Sequence, residues 1–148
     1  MKIAVAADHA GFLLKAPVLA WLAEEGCEVE DLGAVRIDAD DDYPDHARNL
    51  GRAVQDGRAE RGVLICGSGV GASIAANKMT GVRAGLCHDT YTAHQSVEHD
   101  AVNVLCIGAR VVGEAVAEEI VRAFCRARFS AEARHRRRLD KVNLIEQA

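Results

Sequence analysis

The chain has 148 residues, 49% of them hydrophobic and 27% charged, with a formal net charge of -4 at pH 7. That length suits one domain over residues 1–148, and the composition suits a soluble globular protein over a disordered one. The acidic balance excludes a general nucleic-acid binder, which carries a basic excess, and no apolar run is long enough to span a bilayer.

In chain order, KIAVAA at 2–7 reads as a buried strand and FLLKAPVLAWLAEEG at 12–26 as a helix. EVEDL at 28–32 is the next strand, followed by an acidic run, Asp38, Asp40, Asp41, Asp42 and Asp45, and a helix over 45–57. Strands at 62–66, 82–87 and 103–108 alternate with helical patterns at 70–78, 90–99 and 113–127. The tail from 130 onward predicts a last helix with Ser130 as its N-cap, and its few apolar residues suit packing on a partner subunit. This βαβα order implies a parallel sheet between two helical layers, because parallel neighbours need crossover connections and those are right-handed.

The opening MKIAVAADHAG turns polar too early for a secretory signal. Five cysteines, Cys27, Cys66, Cys87, Cys106 and Cys125, contain no CxxC pair, which argues against a zinc cluster or disulfide framework and for a reducing cytoplasm. Asp89, His94 and Glu98 are metal ligands by type, but their spacing matches no ligand motif, so no metal site is expected.

Two segments carry chemistry. Cys66-Gly67-Ser68-Gly69-Val70-Gly71 follows a strand and opens a helix, the place in an α/β sheet where backbone N–H groups face an anion. A bare tight turn is the alternative, but a cysteine at that strand end would be favoured as thiolate and so supplies a base. The other four cysteines read as packing residues. Asp8-His9 ends the first strand at the same carboxyl edge; an aspartate there can cap the next helix, yet a cap does not require the histidine.

AADHAGFLLK, DYPDHA, ICGSGVGASIAANK, GVRAGLCHD, HDAVNVLCIGARVVG and RHRRR together resemble the ribose-5-phosphate isomerase B family, which also contains the galactose-6-phosphate isomerase subunits. The resemblance covers essentially the whole chain. It implies a Rossmann-like α/β/α sandwich of five parallel strands in the order 2-1-3-5-4 with a C-terminal helix. It also implies a homodimer or pair of dimers, and metal-free, cofactor-free interconversion of an aldose phosphate and a ketose phosphate through an enediolate.

On that resemblance Cys66 is the carbon-proton base, with Ser68 and the N–H groups of Gly67, Gly69, Val70 and Gly71 around the developing oxyanion. A family branch that lacks the cysteine uses a glutamate where this chain has Ala72. His99 matches the acid that opens the furanose ring, with Asp8 nearby. His99 ends the helix before strand five, away from Cys66, so the reading has it reach a partner's site. Arg134 and Arg138, four apart on one helix face, with His9 and Arg110, would hold the phosphate. Tyr43 lines the sugar pocket.

Two departures bear on substrate. Asp100 stands where the family usually has asparagine, and an ionised carboxylate would repel an enediolate; Ser68 replaces threonine but keeps the hydroxyl. Ribose 5-phosphate and ribulose 5-phosphate are the leading pair, with tetrose, allose 6-phosphate and galactose 6-phosphate types as rivals. Two further rivals are a phosphate- or nucleotide-binding module that would not need Cys66, and half of a heteromeric site, which does not require Asp8, His9, Cys66, His99 and both arginines in one chain.

Overall fold

A computed structural model describes residues 1–147. Five strands, β1 (Lys2–Ala7), β2 (Glu28–Asp31), β3 (Arg61–Cys66), β4 (Ala84–Leu86) and β5 (Val104–Gly108), form one sheet in the order β2-β1-β3-β5-β4. Every pairing is parallel. The helices are α1 (Phe12–Glu24), α2 (Tyr43–Gln55), α3 (Val70–Ala76), α4 (Thr90–Asp100), α5 (Glu114–Arg126) and α6 (Ala133–Glu146).

Strand alternation sorts the core into two layers. Ile3, Val5, Ala7, Val63, Ile65, Leu105 and Ile107 point to the face covered by Leu22 of α1, Val97 of α4 and Ile120 and Phe124 of α5. Ala4, Ala6, Leu64, Cys66, Val104 and Cys106 point to the other, packed on Ala47, Leu50 and Ala53 of α2 and Ala72 and Ala76 of α3. The small residues on that second face let α2 and α3 approach closely. Gly51 is part of this fit, since a Cβ there would stand 2.3 Å from Met79 Sδ.

The three central strands end together. Ala7 pairs with Ile65 and Cys66 with Gly108, so the residues just beyond β1, β3 and β5 leave the sheet side by side at its carboxyl edge. At the other end, Arg61 donates to the carbonyl oxygens of Phe124 and Ala127 at 2.6 and 2.8 Å, satisfying acceptors that the last turn of α5 leaves open. Near that end Cys27 Sγ and Cys125 Sγ lie 3.3 Å apart as free thiols, and burial pushes the Cys125 thiol up to about 12.

The last helix corrects one expectation. It starts at Ala133 behind Glu132, and Ser130 makes no cap: its hydroxyl lies 2.6 Å from His135 Nδ1, which draws it away from the helix start. Among the described residues no helix is long and apolar enough to cross a membrane.

Candidate active site

At the carboxyl edge, Asp8 follows β1 directly and is buried. Its Oδ1 accepts from the backbone N–H groups of Ala10 and Gly11, both at 3.0 Å, which turns the chain into α1. Gly11 is required here, because a Cβ would stand 2.3 Å from the carbonyl oxygen of Ile65.

Cys66 ends β3 with only 5% of its surface exposed. Gly69 holds φ at +80°, a left-handed conformation that turns its N–H back onto Cys66 Sγ at 3.1 Å. A donor aimed at the sulfur supports negative charge there. The next amide, on Val70, donates to Ser68 Oγ at 3.3 Å. Of the amides expected to face an oxyanion, Gly69 and Val70 therefore also organise the cysteine and the serine. The neighbouring thiol Cys106 is fully buried, and burial pushes it well above the usual thiol range, so it stays protonated packing.

One wall of the site is closed by Tyr43, first residue of α2, whose ring lies over Gly71; a Cβ on Gly71 would meet Tyr43 Cζ at 2.6 Å. Arg110, after β5, donates its backbone N–H to Gly67 O at 3.0 Å, and its exposed side chain runs beside Gly67. Asp8, His9, Tyr43, Cys66, Ser68, Gly71 and Arg110 line one cavity of about 360 Å³.

His9 is held by a residue that sequence reasoning missed. Asp41 accepts His9 Nδ1 at 2.5 Å and the His9 backbone N–H at 3.0 and 3.1 Å, and it also meets His46 Nε2 at 3.0 Å. The Asp41 hydrogen bond raises the His9 imidazole above its ordinary value, against burial and the nearby charge of Arg110. Burial pushes Asp41 up, but its bonds from His9 and His46 outweigh that and leave the carboxyl below its ordinary value. In an acidic run, the usual reading is a solvated face, and nothing in the spacing singles out Asp41. His88 is a second such residue; its Nε2 accepts from Gly108 N–H at 3.0 Å and braces the end of β5 under the site.

Asp8, His9 and Asp41 bring three potential metal-ligand atoms within 4.8 Å of one another. The hydrogen bonds just described already engage all three residues, so the cluster reads as an anchored histidine. Asp89, His94 and Glu98 do not converge: Asp89 caps α4 through the Thr92 N–H at 2.7 Å, and His94 pairs with Glu98 at 3.1 Å.

The remaining expected residues form a separate group. α4 begins at the carboxyl end of β4 and runs back toward the start of β5, which carries His99 to the far end of the sheet. There His99 stacks on the buried His135 of α6, ring centroids 4.1 Å apart. Arg134 and Arg138 are exposed on the same helix, Arg134 paired with Glu132 at 2.9 Å. Asp100 lines a different cavity, with Asn77, Arg83 and Glu146. No residue of α4 or α6 lines the Cys66 cavity.

A family model described as ribose/galactose isomerase matches residues 3–142. The chain is 44% identical to ribose-5-phosphate isomerase B of Escherichia coli (strain K12), over 99% of this chain and 97% of that one. Among solved structures, type B ribose 5-phosphate isomerase from Trypanosoma cruzi matches with a TM-score of 0.96 at 40% identity, covering 99% of both chains. Ribose-5-phosphate isomerase B from Mycoplasma genitalium, solved with bound ribulose-5-phosphate, matches with a TM-score of 0.93 at 40% identity over 99% of this chain and 96% of that one.

Proposed function

Because this chain belongs to the ribose/galactose isomerase family, we propose that it interconverts ribose 5-phosphate and ribulose 5-phosphate with Cys66 as the base. The observation that carries this reading is the Gly69 N–H held 3.1 Å from Cys66 Sγ at the wall of a cavity shared with Asp8, His9, Ser68 and Arg110.

The thiolate removes the proton from C2 of the open-chain aldose. The C2–H electrons become the C1–C2 double bond, and the carbonyl electrons move onto O1 as an enediolate. The same sulfur then returns the proton to C1 while a hydroxyl proton passes from O2 to O1, so atoms and charge balance. Ser68 and the turn amides of Gly67 and Gly71 stabilise the enediolate oxygens, and Asp8 orients the sugar hydroxyls. His9, with its charge supported by Asp41, and Arg110 attract the phosphate.

The site is completed by a second copy of the chain in a homodimer or pair of dimers. His99 brings the ring-opening acid and Arg134 and Arg138 the rest of the phosphate clamp, all from the end of the fold that faces away from Cys66. The exposed Val142 and Ile145, three apart on α6, give that helix apolar surface for such an association. Five free thiols suit a cytoplasmic setting.

The test is isomerisation of a panel of sugar phosphates in the presence of a chelator. Cys66→Ala should lower turnover of ribose 5-phosphate by roughly a thousandfold or more and leave binding of a phosphate ligand largely intact; full activity in that variant refutes the base assignment. Mixing Cys66→Ala chains with His99→Ala chains should restore part of the activity in hybrid dimers, and no recovery after verified subunit exchange refutes the shared site.

A further inference from the structure

Gln95 lies one turn before His99 on α4, and its amide nitrogen stands 2.9 Å from His99 Nδ1. An amide NH₂ can only donate, so Nδ1 must accept, and in the neutral imidazole the proton is then carried by Nε2. The ring plane is fixed as well. His135 stacks on it at 25° between planes, is itself 1% exposed, and is held by Ser130 Oγ at 2.6 Å. Ser130 N–H in turn donates to Glu98 O at 2.9 Å, which ties this stack to the last turn of α4. No protein group among the described residues takes His99 Nε2.

We infer that Gln95 is a positioning residue that sets the Nε2–H tautomer of His99, so that this nitrogen gives its proton to the ring oxygen of a furanose phosphate as the C1–O4 bond breaks, while the anomeric hydroxyl proton leaves to water, which returns a proton to Nε2. The inference rests on the reading of His99 as ring-opening acid. It adds that the choice of which nitrogen donates is made by a side chain that never touches substrate. Ribulose 5-phosphate has no furanose form, because its C5 oxygen is esterified. Proton exchange at its C1, which needs only the Cys66 step, is thus independent of Gln95.

Three variants of the whole chain separate the possibilities. Gln95→Glu replaces the donor with an acceptor, draws the proton onto Nδ1 and makes Nε2 a lone pair. Gln95→Leu removes the donor without opposing it, and His99→Asn removes the acid. Above neutral pH, Gln95→Glu should slow conversion of ribose 5-phosphate by at least about tenfold. Exchange of C1 hydrogens of ribulose 5-phosphate with D₂O, followed by ¹H NMR, should stay within about twofold of the parent, and Gln95→Leu should fall between. In ¹⁵N-histidine spectra the parent His99 should show the Nε2–H pattern and Gln95→Glu the Nδ1–H pattern.

Unchanged conversion in Gln95→Glu, or conversion and exchange falling together, overturns the inference, as does an Nδ1–H signature in the parent. His99→Asn judges the reading beneath it: if that variant opens ribose 5-phosphate normally, the acid assignment itself is wrong. If it is slow while both Gln95 variants are normal, only the role of Gln95 is lost.

Discussion

Asp41 Oδ1 and His9 Nδ1 lie 2.5 Å apart although the residues are 32 positions apart in the chain, and this contact raises the imidazole that the proposed function places against the phosphate. His9 is raised above 6.5 by its bond to Asp41, and Asp41 lies below 3.8 because its hydrogen bonds outweigh its burial. The His9 contribution is fully present below the unfolded imidazole value and lost as pH rises through the raised one. The Asp41 contribution is present above the unfolded carboxyl value and lost as pH falls through the lowered one. Asp41→Asn should therefore bring the alkaline rise of KM for ribose 5-phosphate to a lower pH while changing kcat less. A KM profile that does not move removes Asp41 from any role in phosphate binding.

Gly69 is expected to tolerate no side chain. Its φ of +80° costs alanine about 1–2 kcal/mol, and a Cβ would stand 2.4 Å from Leu86 Cδ1 and 3.0 Å from the carbonyl carbon of Ile107. Gly69→Ala should cost about 2–5 kcal/mol in urea unfolding and lower turnover by displacing the amide on Cys66. Gly81→Ala is the control: φ is +77° but nothing lies within 4 Å, so only the backbone cost of about 1–2 kcal/mol should be measured.

Glu25 should set part of the acid stability. Arg126 grips both its oxygens at 2.6 and 2.8 Å and Arg122 adds a third bond at 2.8 Å, which holds the carboxyl at about 2 in place of its ordinary 4.5. The folded value is depressed, so this stabilisation is present above about 4.5 and fades as pH falls through about 2. Solvent around the largely exposed Arg126 screens the pair and keeps the effect modest. Arg126→Gln should move the acid-unfolding midpoint to higher pH, with little change in stability at pH 2; an unmoved midpoint refutes it.

Asp100 is the test of substrate choice. It is exposed and lines a cavity with α6 instead of the Cys66 pocket of its own chain. If a second copy carries it to that pocket, its charge opposes an enediolate. Asp100→Asn should then raise kcat/KM for ribose 5-phosphate by about tenfold, the effect of about 1.4 kcal/mol of relieved repulsion. An equal or lower value would mean that the carboxylate suits the preferred sugar, and the panel should then favour a tetrose or hexose phosphate.

The centre of the sheet was legible because β1, β3 and β5 each carry their own signal, an apolar run of five or six residues buried on both faces, whereas the short edge strands β2 and β4 are only partly buried and showed through the alternation around them. Cys66, Ser68 and Asp8 were legible for a related reason, as polar residues where such runs stop. What stayed hidden depended on pairing across the fold. Asp41 is one of five acids in a run whose spacing does not distinguish them, and only the loop before α2 brings it against His9. Ser130 looked like a cap, although its hydroxyl is taken by His135 five residues on. Gln95 had no distinguishing pattern, since a glutamine on a half-buried helix face is ordinary until the ring one turn away is seen to share its amide.

The length of α4 separates Cys66 from His99 by the whole depth of the molecule, so under the shared-site proposal an isolated subunit holds every chemical tool and can use only half of them at once. Specific activity should then collapse on dilution, with a midpoint near the dissociation constant of the pair. Two copies joined head to tail by a flexible tether long enough to span the pair should work undiminished at concentrations where the untethered chain falls silent.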